Sequence, residues 1–535
     1  MNLYTVDALN RPLPEEVPAP RENRLVGMFY FLWLGECGRH APYNVSEILA
    51  ADPQAGYKPD SPVWGKKGVY HHWGEPFYGY YYSTDEWVVR RHMKLLTQAG
   101  VDFLFFDTTN NSIYARNAKI VMKVLHEYNQ RGLKAPKVMF YTNTKSGRRV
   151  QQIYNAIYKK GLYPDTWFCY EGRPVIIAKP EECSAECRSF FNIKLAQWPN
   201  EPDKDGGWPW MDFTKPQRLF NNLKGEPEAI NVSIAQHPQI HFGDSAMYGE
   251  TGNCGRSYHN GKEDIHEGSF LQGYNFAEQF DRALEADAPI TLITGWNEWI
   301  AGRWDGTPER PINFVDCANY EYSRDIEMMR GGYFDNYYLQ LCGYIRRLKG
   351  MEPARVYVAG ETAEQQGYGD GSKKRNHAGS GTVYKNYTGR YSLEKAALRH
   401  TENELIVTVT TDLAIRTEPR YTGGAFLRLY LACGKKAVWG YDYVVCPGID
   451  GSCTVYKAEN GIQPGETVAQ GICEIAENTL TLRIPLTALG VEGDAFRIGW
   501  KVADAKVEIT CAEDLYDKGD CLPFGRADAV YLGRQ

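Results

Sequence analysis

Residues 83–106 read STDEWVVRRHMKLLTQAGVDFLFF, a helix that runs straight into a buried strand. Ser83, with Glu86 three residues on, forms a capping box, and Gly100 supplies the stop. Val89, Met93 and Leu96 fall at spacings of four and three, which puts them on one buried stripe. VDFLFF (101–106) is continuously apolar, as a strand covered on both faces must be. Together they make one α/β step of a parallel sheet.

The same step recurs on either side. Strand candidates are RLVGMFYFLW (24–33), KVMFYT (137–142), RPVIIAK (173–179), SFFNIKLAQ (189–197), AINVSIAQ (229–236) and PITLITGW (289–296). Helical stretches cover 115–131, 276–287 and 321–349, the last broken by Gly331 and Gly332. No Gly-x-Gly-x-x-Gly follows any strand, which argues against dinucleotide binding. The pattern predicts an α/β fold, a (β/α)8 TIM-type barrel over 24–350, although an open doubly wound sheet has the same local signals. Residues 1–23 read as a lead-in and the Gly-rich, charged 351–382 as a linker. Beyond it, 383–535 alternates short strands (404–411, 425–433, 441–446, 479–486, 495–503) with turns, which predicts an all-β sandwich.

Composition narrows the function. Of 535 residues 43% are hydrophobic and 24% charged, the values of a folded globular chain, and the net charge of −6 lacks the basic excess of a nucleic-acid binder. No apolar run reaches the roughly 18–20 residues that span a bilayer, and the first 24 residues hold no apolar core of a signal peptide. Thirteen Cys at irregular spacings suggest reduced thiols. These features predict a cytoplasmic protein, or a secreted or surface one if a signal was removed. Aromatic residues reach 13%, with 37 Tyr and 13 Trp. Flat apolar faces with polar edges suit sugar rings as well as large cores.

In a barrel the active site forms where strands end. Those positions hold Tyr30 and Trp33, Asp107, Asn143, Trp198, His237 and Asp244, and the run GWNEW (295–299) with Trp296, Asn297, Glu298 and Trp299. Two carboxylates beside aromatic platforms are what glycosidic-bond cleavage needs. Glu298 is the leading catalytic candidate and Asp107 the second; an Asp there can equally cap the next helix. HHWGEPFYGYYY (71–82) adds His71, His72, Trp73 and Glu75, either as a glycan-stacking loop or as an aromatic plug. Adjacent His71 and His72 point to opposite sides of an extended segment and make a poor metal pair. Asp212, Glu250, Glu267 and Asp305 are further loop carboxylates.

At GWNEW, FYFLW (29–33) and EYSRDIEMMRGGYFDNYY (321–338) the chain resembles the glycoside hydrolase family 99 and family 71-like barrels, which contain endo-α-mannosidases and α-1,3-glucanases. The resemblance implies a barrel glycosidase acting on an oligosaccharide or polysaccharide, with no cofactor, and matches Glu298 to a catalytic Glu. In family 99 a second catalytic Glu follows three residues later, where this chain has Ala301. The second carboxylate then comes from Asp107, Glu75 or Asp305, or the barrel binds glycan without cleaving it. Residues 380–535 are similar to a family 9-type carbohydrate-binding module or a DOMON-like sandwich, on VYKNYTGR (383–390), GYDYVV (440–445) and the closing GDCLPFGRADAVY.

Overall fold

A computed structural model describes residues 2–36, 42–239, 244–249, 252–315, 318–491 and 493–534. The chain divides into two compact units. One holds Pro20–Gly350 with His377–Tyr384, the other Met1–Ala19, Met351–Asn376 and Lys385–Gln535.

All seven expected strands form in the first unit: β1 (Leu25–Tyr30), β2 (Phe103–Thr108), β3 (Lys137–Thr142), β4 (Arg173–Ala178), β5 (Asn192–Gln197), β8 (Pro227–Ser233) and β9 (Ile290–Thr294). Two short ones, β6 (Gly207–Pro209) and β7 (Leu219–Asn221), lie between β5 and β8. The sheet order is β7-β8-β9-β1-β2-β3-β4-β5-β6, parallel throughout except for β7 against β8. Side chains join its two ends. Trp208 Nε1 donates to Glu228 at 2.8 Å, and Asn231 donates to the Trp210 carbonyl at 3.1 Å. The result is a nearly closed barrel. It lacks the expected eightfold β/α repeat, because neither β5 nor β6 is followed by a helix.

After a short helix at Val45–Ala51, the helices of this unit include α1 (Glu86–Ala99), α2 (Ala115–Gln130), α3 (Ser146–Ile153), α4 (Ala185–Phe190), α5 (Tyr274–Ala286) and α6 (Asn336–Lys349). Asp85 rather than Ser83 caps α1, accepting from Trp87 N, while Ser83 Oγ receives Leu34 N. The last helix starts at Asn336, not 321. The polar run before it is spent on side-chain bonds into the barrel. Aromatic layers fill the interior: Phe29 stacks on Phe105 at 4.9 Å and meets Trp210 at 5.7 Å. Below them Gly27 faces Phe103 so closely that a Cβ would lie 2.3 Å from its ring.

The second unit is all-β, as expected, but its strands form one continuous 13-stranded ladder rather than two stacked sheets. The ladder curls around a core that includes Leu398, Val407, Leu429, Val455, Leu482, Trp500 and Tyr531. The expected lead-in and linker are part of it. Leu3–Tyr4 and Val356–Val358 both pair with the last strand, Asp528–Arg534, and Thr362–Gln366 forms the far edge. Ala363 and Gln365 are both buried, an alternation hidden in the sequence because Gln365 is itself polar and Glu364 stands between them.

Candidate active site

At the C-terminal ends of the barrel strands lies a cleft of about 330 Å³. Its carboxylates, among the described residues, are Asp107 and Glu298; its walls include Phe31, Trp33, Tyr70, Tyr114, Trp198, Trp210 and Trp304. Among the described residues that lining holds no Lys, Arg or His.

Asp107 closes β2. Its Oδ2 accepts from Trp33 Nε1 at 3.1 Å, and its Oδ1 from Thr109 N at 3.0 Å and Thr109 Oγ1 at 2.7 Å. It ties its own turn and does not cap α2, which begins eight residues later behind Tyr114. Three donors fix the carboxylate toward the cleft.

Glu298 is positioned by its backbone. Gly295, at φ +122°, turns the chain off β9, and a Cβ there would meet the Arg324 carbonyl at 2.8 Å. From that turn, alternate residues separate. Trp296 goes to the helix layer, edge-on to His92; Asn297 clamps Phe31 through its N–H (2.8 Å) and carbonyl (3.0 Å); Glu298 opens into the cleft. The Glu298 N–H donates to Asp325 Oδ1, and Trp73 Nε1 donates both to the Glu298 carbonyl (3.0 Å) and to Asp325 Oδ2 (3.1 Å). Trp299 stacks on Trp73 at 4.4 Å, closing the clamp from below. The Glu298 side chain is 12% exposed, with the buried Arg324 guanidinium 3.6 Å from Oε2. Burial pushes the Asp325 carboxyl up to about 6 against the pull of the Glu298 N–H, Arg256 and Arg324.

Other expected site residues lie elsewhere. Tyr30 points outward from β1 to His92 on α1, because its neighbours Phe29 and Phe31 take the inward positions. His71 stacks on Tyr43 at 4.7 Å and His72 packs edge-on to Tyr80 at 4.5 Å. The 71–82 run is therefore mostly core, with Trp73 and Trp299 supporting the site from beneath. Glu75, raised by burial, pairs with Arg330 at 3.2 Å. Asp305 is 70% exposed beside Lys67, although its neighbour Trp304 lines the cleft. Asn143, His237 and Asp244 fall outside the lining. His237 bonds the Tyr322 carbonyl at 2.9 Å, and Asp244 accepts from Asn313 at 3.4 Å. Asp212 is buried against Arg218, Glu267 is absent from the lining, and Glu250 lies outside the described residues.

Residues that escaped sequence reading include Tyr70, Tyr114, Trp210, Trp304 and Arg324. Trp210 follows a three-residue strand too short to show a period, and the others sit in irregular segments or on a flanking strand. Ala301 also lines the cleft. Neither a protein-family model nor a curated protein matches the chain. Among solved structures, the family 99 endo-α-mannosidase from Bacteroides thetaiotaomicron is similar over 60% of this chain and 96% of its own, at 15% identity and a TM-score of 0.35. A glycoside hydrolase-like protein is similar over 62% of this chain and 96% of its own, at 13% identity and a TM-score of 0.35. The endo-β-1,4-mannanase from Thermotoga petrophila spans 88% of this chain and 98% of its own, at 8% identity and a TM-score of 0.21. The functional reading rests on the cleft itself.

Burial also makes His237 a pH-dependent element. Desolvation, then the nearby Arg324 charge, holds its imidazole down at about 3. An unfolded His titrates near ~6.5. The unfolded chain therefore binds the extra proton between these values, and the contribution is complete above about pH 6.5 and lost as pH falls toward 3. His237→Gln removes the titration, so the stability gap between parent and variant shifts against the parent from pH 7 to pH 4. Urea unfolding at both pH values measures it, and an unchanged gap refutes the assignment.

Proposed function

We propose that this cleft binds a neutral glycan and that Glu298 and Asp107 hydrolyse one of its O-glycosidic bonds. The observation that carries the reading is two carboxylates opening into one aromatic-walled cleft. They follow β2 and β9, strands separated in the sheet by β1 alone, and both line the one cleft. A sugar acetal fits between such groups. One carboxyl gives its proton to the leaving glycosidic oxygen, while the other attacks the anomeric carbon or takes a proton from the attacking water. The chemistry ends with one water consumed and both carboxyls restored. Trp33, Trp198, Trp210 and Trp304 supply the stacking faces.

The test is a panel of labelled oligosaccharides incubated with the parent chain, Glu298→Gln and Asp107→Asn. Turnover by the parent and its loss in both variants supports hydrolysis. Ala301 favours a second reading, a glycan-binding barrel without cleavage; binding by all three proteins with turnover by none selects it. A glycan-binding role for residues 383–535 is proposed on their resemblance alone.

The lining also sets substrate charge. The described lining holds two acids, with the Arg324 guanidinium set beside Glu298, so a uronate or sulfated sugar meets mainly like charge. We expect kcat/KM for a neutral glycan to exceed that of its uronate counterpart by about tenfold or more, with the gap narrowing as salt rises. Equal values for the two substrates contradict this.

A further inference from the structure

In an α/β barrel the outward face of each strand is covered by the helix that follows it. None follows β5, whose chain runs through turns at 198–206 directly into β6. The flank left open holds a cavity of about 440 Å³, larger than the cleft and away from it, near the strand starts. Its apolar lining comes from half-buried Ile193 and Leu195 and from Leu223 on the β7–β8 turn. Leu223 leans over Gly206 and is 81% exposed, an apolar side chain left largely in solvent.

Cations outnumber carboxylates in the lining of this cavity, with Arg173, Arg188, Lys194 and Lys224 against Glu171. Arg173, Arg188 and Lys224 line it, and none of the three has an ion-pair partner among the described residues. Arg173 reaches only the carbonyls of Arg188 and Ser189, both at 3.4 Å, and Arg188 those of Pro180 and Cys183. The buried Lys194 is already neutralised by Glu228 at 2.7 Å. On the acidic side stand Glu171, which accepts from Asn192 at 3.1 Å and lies 3.9 Å from Lys194, and Glu226, bonded back to Asn222 at 2.9 Å. Three unneutralised cations therefore ring an apolar floor.

We infer that the open flank of β5 is a binding site for an amphiphilic anion, with the anionic head against Arg173, Arg188 and Lys224 and the apolar body on Ile193, Leu195 and Leu223. The volume lies within the roughly 300–1,000 Å³ of small-molecule pockets. Guanidinium pairs suit a carboxylate, sulfonate or phosphate head. The site is independent of the glycan cleft, since no residue lines both.

Two fluorescent probes with the same aromatic body test it: 8-anilinonaphthalene-1-sulfonate, an anion, and N-phenyl-1-naphthylamine, its uncharged counterpart. The full chain is titrated with each, beside Arg173→Glu/Arg188→Glu, Leu223→Asp and Trp304→Ala, with circular dichroism to confirm folding. We expect saturable binding of the sulfonate whose Kd rises about tenfold or more in the double variant, since two rim charges are reversed. Leu223→Asp weakens it likewise, the uncharged probe responds little to the Arg changes, and Trp304→Ala leaves the sulfonate Kd unchanged. If the double variant fails to fold, Lys224→Glu carries the same expectation from an exposed turn. Equal sulfonate affinity in the folded charge variants, absence of saturable binding, or loss of binding in Trp304→Ala overturns the inference.

Discussion

Glu298→Gln is expected to lower turnover by about 10²–10⁴-fold while leaving the fold and glycan affinity nearly unchanged. Gln keeps the size of the side chain and one carbonyl acceptor, but it can neither carry the negative charge nor give up a proton. If Glu298 is the nucleophile rather than the acid, the loss is larger still. The fold is spared because the residue is held through its peptide group, by Asp325 and Trp73, and the substitution leaves both contacts in place. The carboxylate–Arg324 pair is long, at 3.6 Å, and Gln keeps a carbonyl acceptor in its place, so the guanidinium is not left facing a void. Turnover, affinity and melting temperature measured on one preparation separate the outcomes. A loss of only about tenfold makes Glu298 a substrate-positioning group, and retained turnover with a lowered melting temperature removes it from the chemistry.

The barrel strands were legible because they are long, apolar and bounded by turns. VDFLFF and KVMFYT could be read without knowing what they paired with. What the residues could not show is the short β6, GWP at 207–209, which becomes a strand only because Leu195 and Gln197 offer it a ladder. The same limit explains the missing helices after β5 and β6, where a connection without periodicity gives no sign of which face it leaves bare. At the cleft, a carboxylate at or past a strand end singled out both Asp107 and Glu298 as candidates, and both line it. Strand alternation, applied one residue at a time, would have sent Tyr30 to the helix layer. His71 and His72 misled because an aromatic-rich run looks alike whether it stacks on sugar or on Tyr43 and Tyr80. Arg324, Asp325 and Glu327 were hidden inside a run read as helical, and their roles come from bonds made to residues far away in sequence.

Glu327 carries the largest expected effect on stability. It is fully buried, and its carboxylate meets His92 Nε2 at 2.9 Å, Tyr81 Oη at 2.7 Å and Trp299 Nε1. Beyond His92 the chain of contacts continues to the Tyr30 hydroxyl at 2.9 Å. One side chain thus joins α1, β1, the aromatic run and the residue next to Glu298. Glu327→Ala leaves three donors stranded in a dry interior and opens a gap under the Trp73–Trp299 stack. Each buried donor left without its acceptor costs about 1–3 kcal/mol, so the three together are worth several kcal/mol. Glu327→Gln keeps the volume and a single acceptor oxygen, so it should cost less, about 1–3 kcal/mol for the bonds left unmade. Of the 13 Trp only Trp439 and Trp500 lie outside the barrel unit, so urea unfolding followed by Trp fluorescence reports on that unit. A small loss for both variants, under about 1 kcal/mol, would show that the network is dispensable. A large loss for Ala with partial recovery in Gln ties the cost to the hydrogen bonds. Because Trp299 adjoins Glu298, the Gln variant should also lower kcat more than it alters KM, a split that general destabilisation does not produce.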